Sequence, residues 1–140
     1  MSERRISKFG PQIQGYLDSG ERLLDVTMAI AVKTAPKGFT QKYAGPIVGT
    51  GAQTANRLLN DMPKRTSGVV CVTDQRMLFF GITAFSKVKK MWWGVPRNEV
   101  GGVEPGDLLF AVRFTDGSMA WFGGNRNDYE AIASALDQTV

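Results

Sequence analysis

Residues 68–80 read GVVCVTDQRMLFF, in which a short polar pair separates two apolar runs. Two runs rich in β-branched and aromatic residues, 68–73 and 76–82, flank the pair Asp74-Gln75. Such runs favour strands, and a short polar pair between them favours a tight turn. The stretch therefore predicts a β-hairpin, in which two antiparallel strands are joined by that turn.

Further strands are predicted on both sides of this hairpin. Upstream, residues 22–32 (RLLDVTMAIAV) place an apolar side chain at every second position, the period of a strand with one buried face. Downstream, LLFAVRFT at 108–115 precedes Asp116-Gly117, the strongest short hairpin signal in the chain. Further strand candidates lie at 88–95, 98–104 and 118–122. Consecutive hairpins of about six or seven strands predict an antiparallel sheet curled into a partly open barrel or two packed sheets.

Helices are predicted near both ends of the chain. Residues 12–18 have the pattern of a short helix that ends at Ser19-Gly20. Near the other end, Asn127 is a candidate N-cap, and Glu130 three residues later can complete a capping box. An apolar stripe at helical spacing follows, formed by Tyr129, Ile132, Ala133 and Leu136. Because such a helix cannot bury its stripe alone, we expect it to dock on the sheet or on one open end of it.

The segment 33–67 separates the first predicted strand from the hairpin and reads as an insert. Its first part, up to Gly45, is rich in lysine, glycine and proline and predicts an exposed loop. From Pro46 apolar residues recur at roughly helical spacing, and we expect a helix that ends before Pro63. The apolar positions are Ile47, Val48, Ala52, Ala55, Leu58, Leu59 and Met62.

Composition excludes several kinds of catalytic site. The 140 residues include no histidine and a single cysteine, Cys71, so histidine-based triads and zinc-cysteine clusters are absent. The carboxylates are scattered, and Cys71 lies in a predicted strand between two valines. We therefore expect no catalytic residue, no metal site, no cofactor and no enzyme activity. The longest apolar run is too short to span a bilayer, and no signal peptide is evident, so we expect a cytoplasmic protein that meets membranes only from the surface.

The phrase at 68–80 resembles the β-hairpin of the pleckstrin-homology-like superfamily, and it is most similar to bacterial pleckstrin-homology-like and GRAM domains. Residues 20–24 (GERLL) resemble the start of that family's first strand, and 93–104 (WGVPRNEVGGVE) resemble a later one. The resemblance implies an antiparallel β roll of seven strands, mainly β, with a C-terminal helix that caps one end. It divides the chain into an N-terminal arm or short helix at 1–19 and one domain at 20–140 that carries the insert.

Basic residues concentrate in the middle of the chain. Residues 33–90 carry ten basic and two acidic groups, a net charge of +8, whereas residues 91–140 carry a net charge of −4. Such an asymmetry favours an anionic partner or association between unlike faces, although a solubilising surface would also produce it. Phosphoinositide-binding members of the resembled family place basic residues in the loop that the insert occupies here. The candidate lipid- or anion-binding residues are Lys33, Lys37, Lys42, Lys64, Arg65, Lys87, Lys89 and Lys90.

A second group of candidates is apolar. The insert helix has no obvious place in a complete β roll, so it packs either on the outside of the roll or against another copy of the chain. Strict alternation along 87–93 places Met91 and Trp93 on one face and Lys90 and Trp92 on the other. We expect Trp93 to be buried and leave Trp92 open. The candidate protein-interface residues are Ile47, Val48, Ala55, Leu58, Leu59, Met62 and Trp92.

These observations rank the functions that the sequence supports. The first is a non-catalytic adaptor that binds a protein partner or itself through the insert helix and the strand at 87–93. The second is peripheral binding to an anionic lipid or membrane surface through the basic insert. The third is binding to nucleic acid.

Overall fold

The computed structural model describes residues 2–33 and 54–137. The helices are α1 (Ser2–Ile13), α2 (Thr54–Leu59) and α3 (Arg126–Asp137), and short 3-10 turns lie at Gln14–Tyr16 and Arg97–Glu99. The strands are β1 (Leu23–Val32), β2 (Arg65–Thr73), β3 (Arg76–Ile82), β4 (Val88–Pro96), β5 (Val100–Gly106), β6 (Leu109–Phe114) and β7 (Met119–Gly123).

All seven strands belong to one antiparallel sheet in the order β4-β3-β2-β1-β7-β6-β5. The long strand β1 joins the two halves, because its whole length pairs with β2 while only its end, at Ile30–Val32, pairs with β7. The pairing of Val72 with Met77 places the β2–β3 turn at Asp74-Gln75, as the sequence predicts. The predicted mainly β architecture with a C-terminal helix is therefore confirmed.

The concave face of the sheet encloses an aromatic core, here called the inner core. The ring centroids of Phe79 and Trp93 are 5.8 Å apart, and those of Phe110 and Phe122 are 5.4 Å apart. All four side chains are buried, because alternate positions of each strand point to the same face. The expected burial of Trp93 is confirmed.

The C-terminal helix α3 packs against β1, β2 and β5 and buries Ile132 in the inner core. Its capping box lies two residues earlier than predicted. The Asp128 backbone N–H donates to Asn125 Oδ1 over 3.0 Å, and the Asn125 N–H donates to Asp128 Oδ2 over 2.9 Å. Asp128 Oδ1 also accepts a 2.6 Å hydrogen bond from the buried Thr27 hydroxyl of β1. This tertiary contact favours the earlier cap over the predicted pair Asn127 and Glu130.

Helix α1 forms an outer layer on the convex face of the sheet. Phe9 and Ile13 are fully buried there, in a cluster with side chains of β1, β2 and β3. The predicted helix at 12–18 is corrected, since the helix runs over Ser2–Ile13 and a 3-10 turn follows. The Gln12 side chain ties the helix to β4 by accepting a 2.8 Å hydrogen bond from the Val88 N–H. The boundary at residue 19 between an arm and a domain stays a prediction.

Helix α2 is the described part of the insert helix, and it lies inside the roll. Ala55, Leu58, Leu59 and Met62 are each at most 9% exposed and belong to the inner core. Residues 65–67 of the predicted insert are the first residues of β2. The four apolar side chains therefore contact their own domain, which corrects their assignment to a protein interface. Two further interface candidates, Ile47 and Val48, lie outside the described residues.

Candidate functional site

Two β-bulges in β4 shape the surface beside the start of β2. Phe79 pairs with Trp93 and Phe80 pairs with Met91, so Trp92 is the extra residue of the first bulge. The bulge turns Trp92 toward the inner-core side together with Trp93, whereas Met91 faces the outer cluster. The prediction that side chains alternate strictly along 87–93, with Trp92 and Trp93 on opposite faces, is therefore wrong.

The second bulge, at Lys89, helps to place basic side chains beside that tryptophan. Gly81 pairs with Lys90 and Ile82 pairs with Val88, which leaves Lys89 as the extra residue. The ammonium group of Lys90 lies 4.0 Å from the ring centroid of Trp92, a close cation–π contact.

Residues of β2, β3 and β4 surround a cavity of about 230 Å³ at this place, here called the basic cavity. The residues that bear on its chemistry are Arg65, Thr66, Ser67, Lys89, Lys90 and Trp92. The cavity thus combines three cationic side chains, two hydroxyls and one aromatic wall. Phosphate is bound in proteins by such donors, since guanidinium and ammonium groups form charge-assisted hydrogen bonds with its oxygens.

A glycine makes room for the aromatic wall of the basic cavity. A Cβ atom at Gly81 would lie 2.8 Å from Nε1 of Trp92, which is closer than real side chains approach. Any larger residue at position 81 would therefore displace the indole.

The hydroxyl of Thr66 is the polar group of the cavity that sequence reasoning missed. Its Oγ1 atom is buried and has no hydrogen-bond partner within the ranges that the structure describes. A buried hydroxyl without a partner carries a desolvation cost that a bound oxygen atom would relieve. A threonine at the start of an apolar strand has no sequence signal that marks it as a ligand contact.

The structure brings some of the predicted basic residues together and separates others. Arg65, Lys89 and Lys90 line the basic cavity, and Lys64 and Lys87 are exposed next to them in the chain. Among the described residues, none of these five side chains takes part in an ion pair. Their charge is therefore available to a ligand.

Three predicted basic candidates are not part of this group. The Lys33 ammonium donates a 3.0 Å hydrogen bond to the Asn60 carbonyl and lines a different cleft of about 380 Å³, beside α2 and Trp121. Among the described residues that line that cleft, Lys33 is the one cationic side chain, so these residues suit an anion less well than those of the basic cavity do. Lys37 and Lys42 lie outside the described residues.

The residues that carry the family resemblance form a structural network instead of a ligand site. Arg76 binds Glu21 through two nitrogen atoms, at 2.7 and 3.0 Å, and the Thr73 hydroxyl donates to the same carboxylate over 2.6 Å. The N–H of Arg22 donates to Asp74 Oδ1 over 2.9 Å. These contacts fasten the start of β1 to the β2–β3 turn.

Other chemistry is limited in the described part of the chain. Residues 2–33 and 54–137 contain no group of three or more acidic, cysteine or histidine residues arranged to hold a metal. No helix within these ranges is long and apolar enough to cross a membrane. Burial raises the pKa of the Cys71 thiol, and the nearby charge of Asp25 adds to this effect, so the thiol stays protonated.

Seven antiparallel strands in this order, with a C-terminal helix packed against the sheet, are consistent with the β roll that the resemblance to the pleckstrin-homology-like superfamily implies. Among solved structures, the chain is similar to the C-terminal domain of an unknown protein from Leishmania infantum. The identity is 11%, the TM-score is 0.53, and the match covers 94% of this chain and 97% of the other. At this identity the likeness concerns the fold alone.

A second similar structure is a Vps36 N-terminal PH domain, at 13% identity and a TM-score of 0.46, with 86% of this chain and 83% of the other covered. No family model and no curated protein matches the chain. Strand order and helix placement therefore describe the fold, and the basic cavity is the feature that bears on function.

Proposed function

We propose that this domain binds the phosphate-bearing headgroup of an anionic lipid in the basic cavity and thereby attaches to membrane surfaces. The observation that supports this proposal is the convergence of Arg65, Lys89 and Lys90 on one cavity. A pleckstrin-homology-like fold is compatible with lipid or protein partners in general, and the cavity chemistry favours the anionic lipid. Peripheral attachment to a membrane from the cytoplasm follows from the proposal and stays a prediction.

The energetics of such binding depend on several cations acting together. A lysine near an anionic membrane surface contributes about 1 kcal/mol, and the contribution decreases as salt screens the charge. The exposed neighbours Lys64 and Lys87 add to the three cavity cations. Five cations of this kind are enough for reversible, salt-sensitive binding.

Vesicle sedimentation tests the proposal with two variants of equal charge. Replacing Lys89 and Lys90 by alanine removes two cavity cations, and we expect partitioning onto vesicles of phosphatidylcholine with anionic lipid to fall about thirtyfold. The control replaces Arg4 and Lys8, two exposed cations of α1, by alanine. It lowers the net charge equally, and we expect a loss of less than about threefold.

Two results would contradict headgroup recognition. Equal losses in both double variants would mean that only the overall charge attracts the membrane. Failure of the wild-type chain to sediment with anionic vesicles at low salt would remove the proposal altogether.

A soluble inositol phosphate distinguishes a headgroup site from general surface attraction, because it should compete for the cavity without any bilayer. A gel shift with single-stranded RNA at the same salt tests the nucleic-acid alternative.

Association with a protein, including a second copy, is the other candidate function, although four of the seven residues that first suggested it, Ala55, Leu58, Leu59 and Met62, are buried in their own domain. What supports it now is the outer face of β1, where Met28 and Ile30 are 43% and 37% exposed. They line a groove of about 370 Å³ that Gly123 and Gly124 also border. Exposed apolar side chains in a groove are typical of interaction sites.

Light scattering at two protein concentrations tests self-association. If the outer face of β1 pairs with a second copy, the mean mass rises with concentration, and Met28→Ser together with Ile30→Ser restores the monomer mass. Thr115→Ser serves as a matched exposed control on another strand end. A monomer mass for the wild-type chain at both concentrations would argue against self-association.

A further inference from the structure

The loop between β3 and β4 presents a large apolar side chain to solvent. Phe85 at its tip is 86% exposed, more than any other large hydrophobic residue in the described ranges. Phenylalanine buried in a core makes a large favourable contribution to stability, so full exposure at a loop tip has no benefit for the fold itself. The ring is therefore placed to contact a partner outside the domain.

Hydrogen bonds hold the loop in one shape. The N–H of Thr83 donates to the Lys87 carbonyl over 2.8 Å, and the N–H of Ser86 donates to the Thr83 carbonyl over 2.9 Å. The Thr83 hydroxyl oxygen accepts from the N–H groups of Phe85 and Lys87, both over 3.2 Å. Ser86 has a φ of +59°, a conformation that side-chain-bearing residues rarely adopt. The ring is thus presented on an ordered turn.

The surroundings of the ring are basic. Lys87, Lys89 and Lys90 follow it along the chain and are exposed, and residues 75–98 include no acidic residue. At the base of the loop, Ile82 lines the basic cavity together with Lys89 and Lys90. The hairpin that carries the apolar tip therefore also contributes Ile82, Lys89 and Lys90 to the basic cavity.

This combination fits the boundary of an anionic bilayer. Lysine stems extend through apolar surroundings while their ammonium groups stay with the phosphates, and phenylalanine side chains of membrane-surface segments are buried at the boundary between headgroups and acyl chains. A soluble protein partner would also accept the ring, but the run of cations without an acidic residue favours a surface of uniform negative charge.

We propose that Phe85 inserts into an anionic membrane beneath the headgroups while the basic cavity holds one headgroup. This inference rests on the proposed lipid-binding function and adds a second, apolar point of attachment. The cavity supplies charge recognition that salt weakens. The ring supplies burial that salt does not weaken.

Replacing Phe85 by alanine separates the two contributions. We expect partitioning onto anionic vesicles to fall roughly tenfold at both low and high salt, while affinity for a soluble inositol phosphate stays unchanged. Phe85→Leu should restore most of the partitioning, because leucine buries comparable apolar area. The matched control is Leu108→Ala, since Leu108 is 80% exposed in the β5–β6 turn next to the acidic Asp107.

The outcomes distinguish the two proposals. Unchanged partitioning of Phe85→Ala, with wild-type headgroup binding intact, overturns insertion and leaves the proposed function standing. Loss of headgroup affinity in Phe85→Ala overturns insertion as a separate contribution. If the wild-type chain binds neither vesicles nor inositol phosphate, both proposals fail.

A fluorescent label measures insertion directly. Cys71 is fully buried, so a nitrobenzoxadiazole label attaches selectively to an introduced cysteine in Phe85→Cys or, as the control, in Leu108→Cys. On vesicles of phosphatidylcholine and phosphatidylserine, we expect the emission of the label at position 85 to shift to the blue and to be quenched by a lipid-borne nitroxide. We expect neither change in the emission of the label at position 108. No response at position 85, or an equal response at both positions, overturns the inference.

Discussion

The carboxylate of Glu21 accepts four hydrogen bonds in a site where the residue is only 6% exposed. Desolvation alone would raise its pKa, but the hydrogen bonds from Arg76 and Thr73 outweigh it and lower the pKa from 4.5 to about 2. A buried ion pair has a large desolvation cost, so it stabilises the fold only while both partners remain in place. At the scale of single residues, this pair decides whether the first strand stays fastened to the hairpin.

Stability should therefore fall on acidification in a defined range. Because the folded-state pKa of Glu21 lies below its unfolded value, its contribution is complete above about pH 4.5 and is lost as the pH falls toward about 2. Glu21→Gln should lower the free energy of unfolding at pH 7 by about 3 kcal/mol. The difference in the free energy of unfolding between wild type and variant, here called the stability gap, should be about 2 kcal/mol smaller at pH 3 than at pH 7.

Urea unfolding at pH 7 and pH 3 measures this gap. Glu130→Gln is the matched control, because its carboxylate is in an exposed pair with Arg126 and should change stability by less than about 0.5 kcal/mol. A constant gap at both pH values would show that ionisation of Glu21 is not responsible.

Helix α2 illustrates how an element depends on its neighbours. Six residues are too few to form a stable helix alone. The turn between β6 and β7 holds its first residues, since Asp116 Oδ2 accepts from the Thr54 N–H over 2.7 Å and Ser118 Oγ accepts from the Ala55 N–H over 3.0 Å. Burial of Leu58 and Leu59 in the inner core further stabilises the helix.

Asp116→Ala should therefore destabilise the fold by about 1–2 kcal/mol, as loss of a helix cap does elsewhere. Desolvation opposes ionisation of Asp116, but hydrogen bonds from Ser118 and Thr54 outweigh it and lower its pKa, which shows that the ionised form is the one held here. Thermal unfolding measures the change. Asp107→Ala, in the exposed β5–β6 turn, should have almost no effect, and equal losses in both variants would contradict the capping role.

At the scale of the whole molecule, the sheet is covered on two sides. Helix α3 and helix α2 contribute to the inner core, whereas α1 lies over the convex face of β1–β3. The basic cavity lies where β2 begins and β4 leaves the loop, away from the network around Glu21 at the other end of the hairpin. This separation leaves the end with the basic cavity away from the Glu21 network that fastens β1 to the hairpin.

The outer layer makes a large contribution that a single substitution can measure. Phe9→Ala should lower the free energy of unfolding by about 3–5 kcal/mol, because the phenyl ring is fully buried and a cavity would remain. Ser7→Ala, exposed on the same helix, is the control and should change stability by less than about 0.5 kcal/mol. Urea unfolding followed by far-UV circular dichroism measures both. A small loss for Phe9→Ala would mean that α1 is only loosely attached.

Much of the fold could be predicted because its signals are local. The turns at Asp74-Gln75 and Asp116-Gly117 and the apolar period of β1 and β6 are properties of neighbouring residues, and the structure has strands and turns at these places. Of the candidate site, Arg65, Lys89 and Lys90 could be predicted from their charge, their neighbours in the chain and the family resemblance. Thr66 and Gly81 could not be predicted, because their roles depend on contacts with residues far away in the chain. Phe85 could not be predicted, because its role depends on the solvent exposure of its ring.

Side-chain chemistry and spacing along the chain are thus enough to predict strands, turns and a basic surface. They cannot predict that a bulge turns Trp92 to the same side as Trp93, that α2 is buried inside its own domain, or that α1 covers the outer face. Each of these depends on contacts between segments separated by dozens of residues. These three features form only when the sheet is assembled, because the interior is close-packed and the placement of each side chain then depends on its neighbours in space.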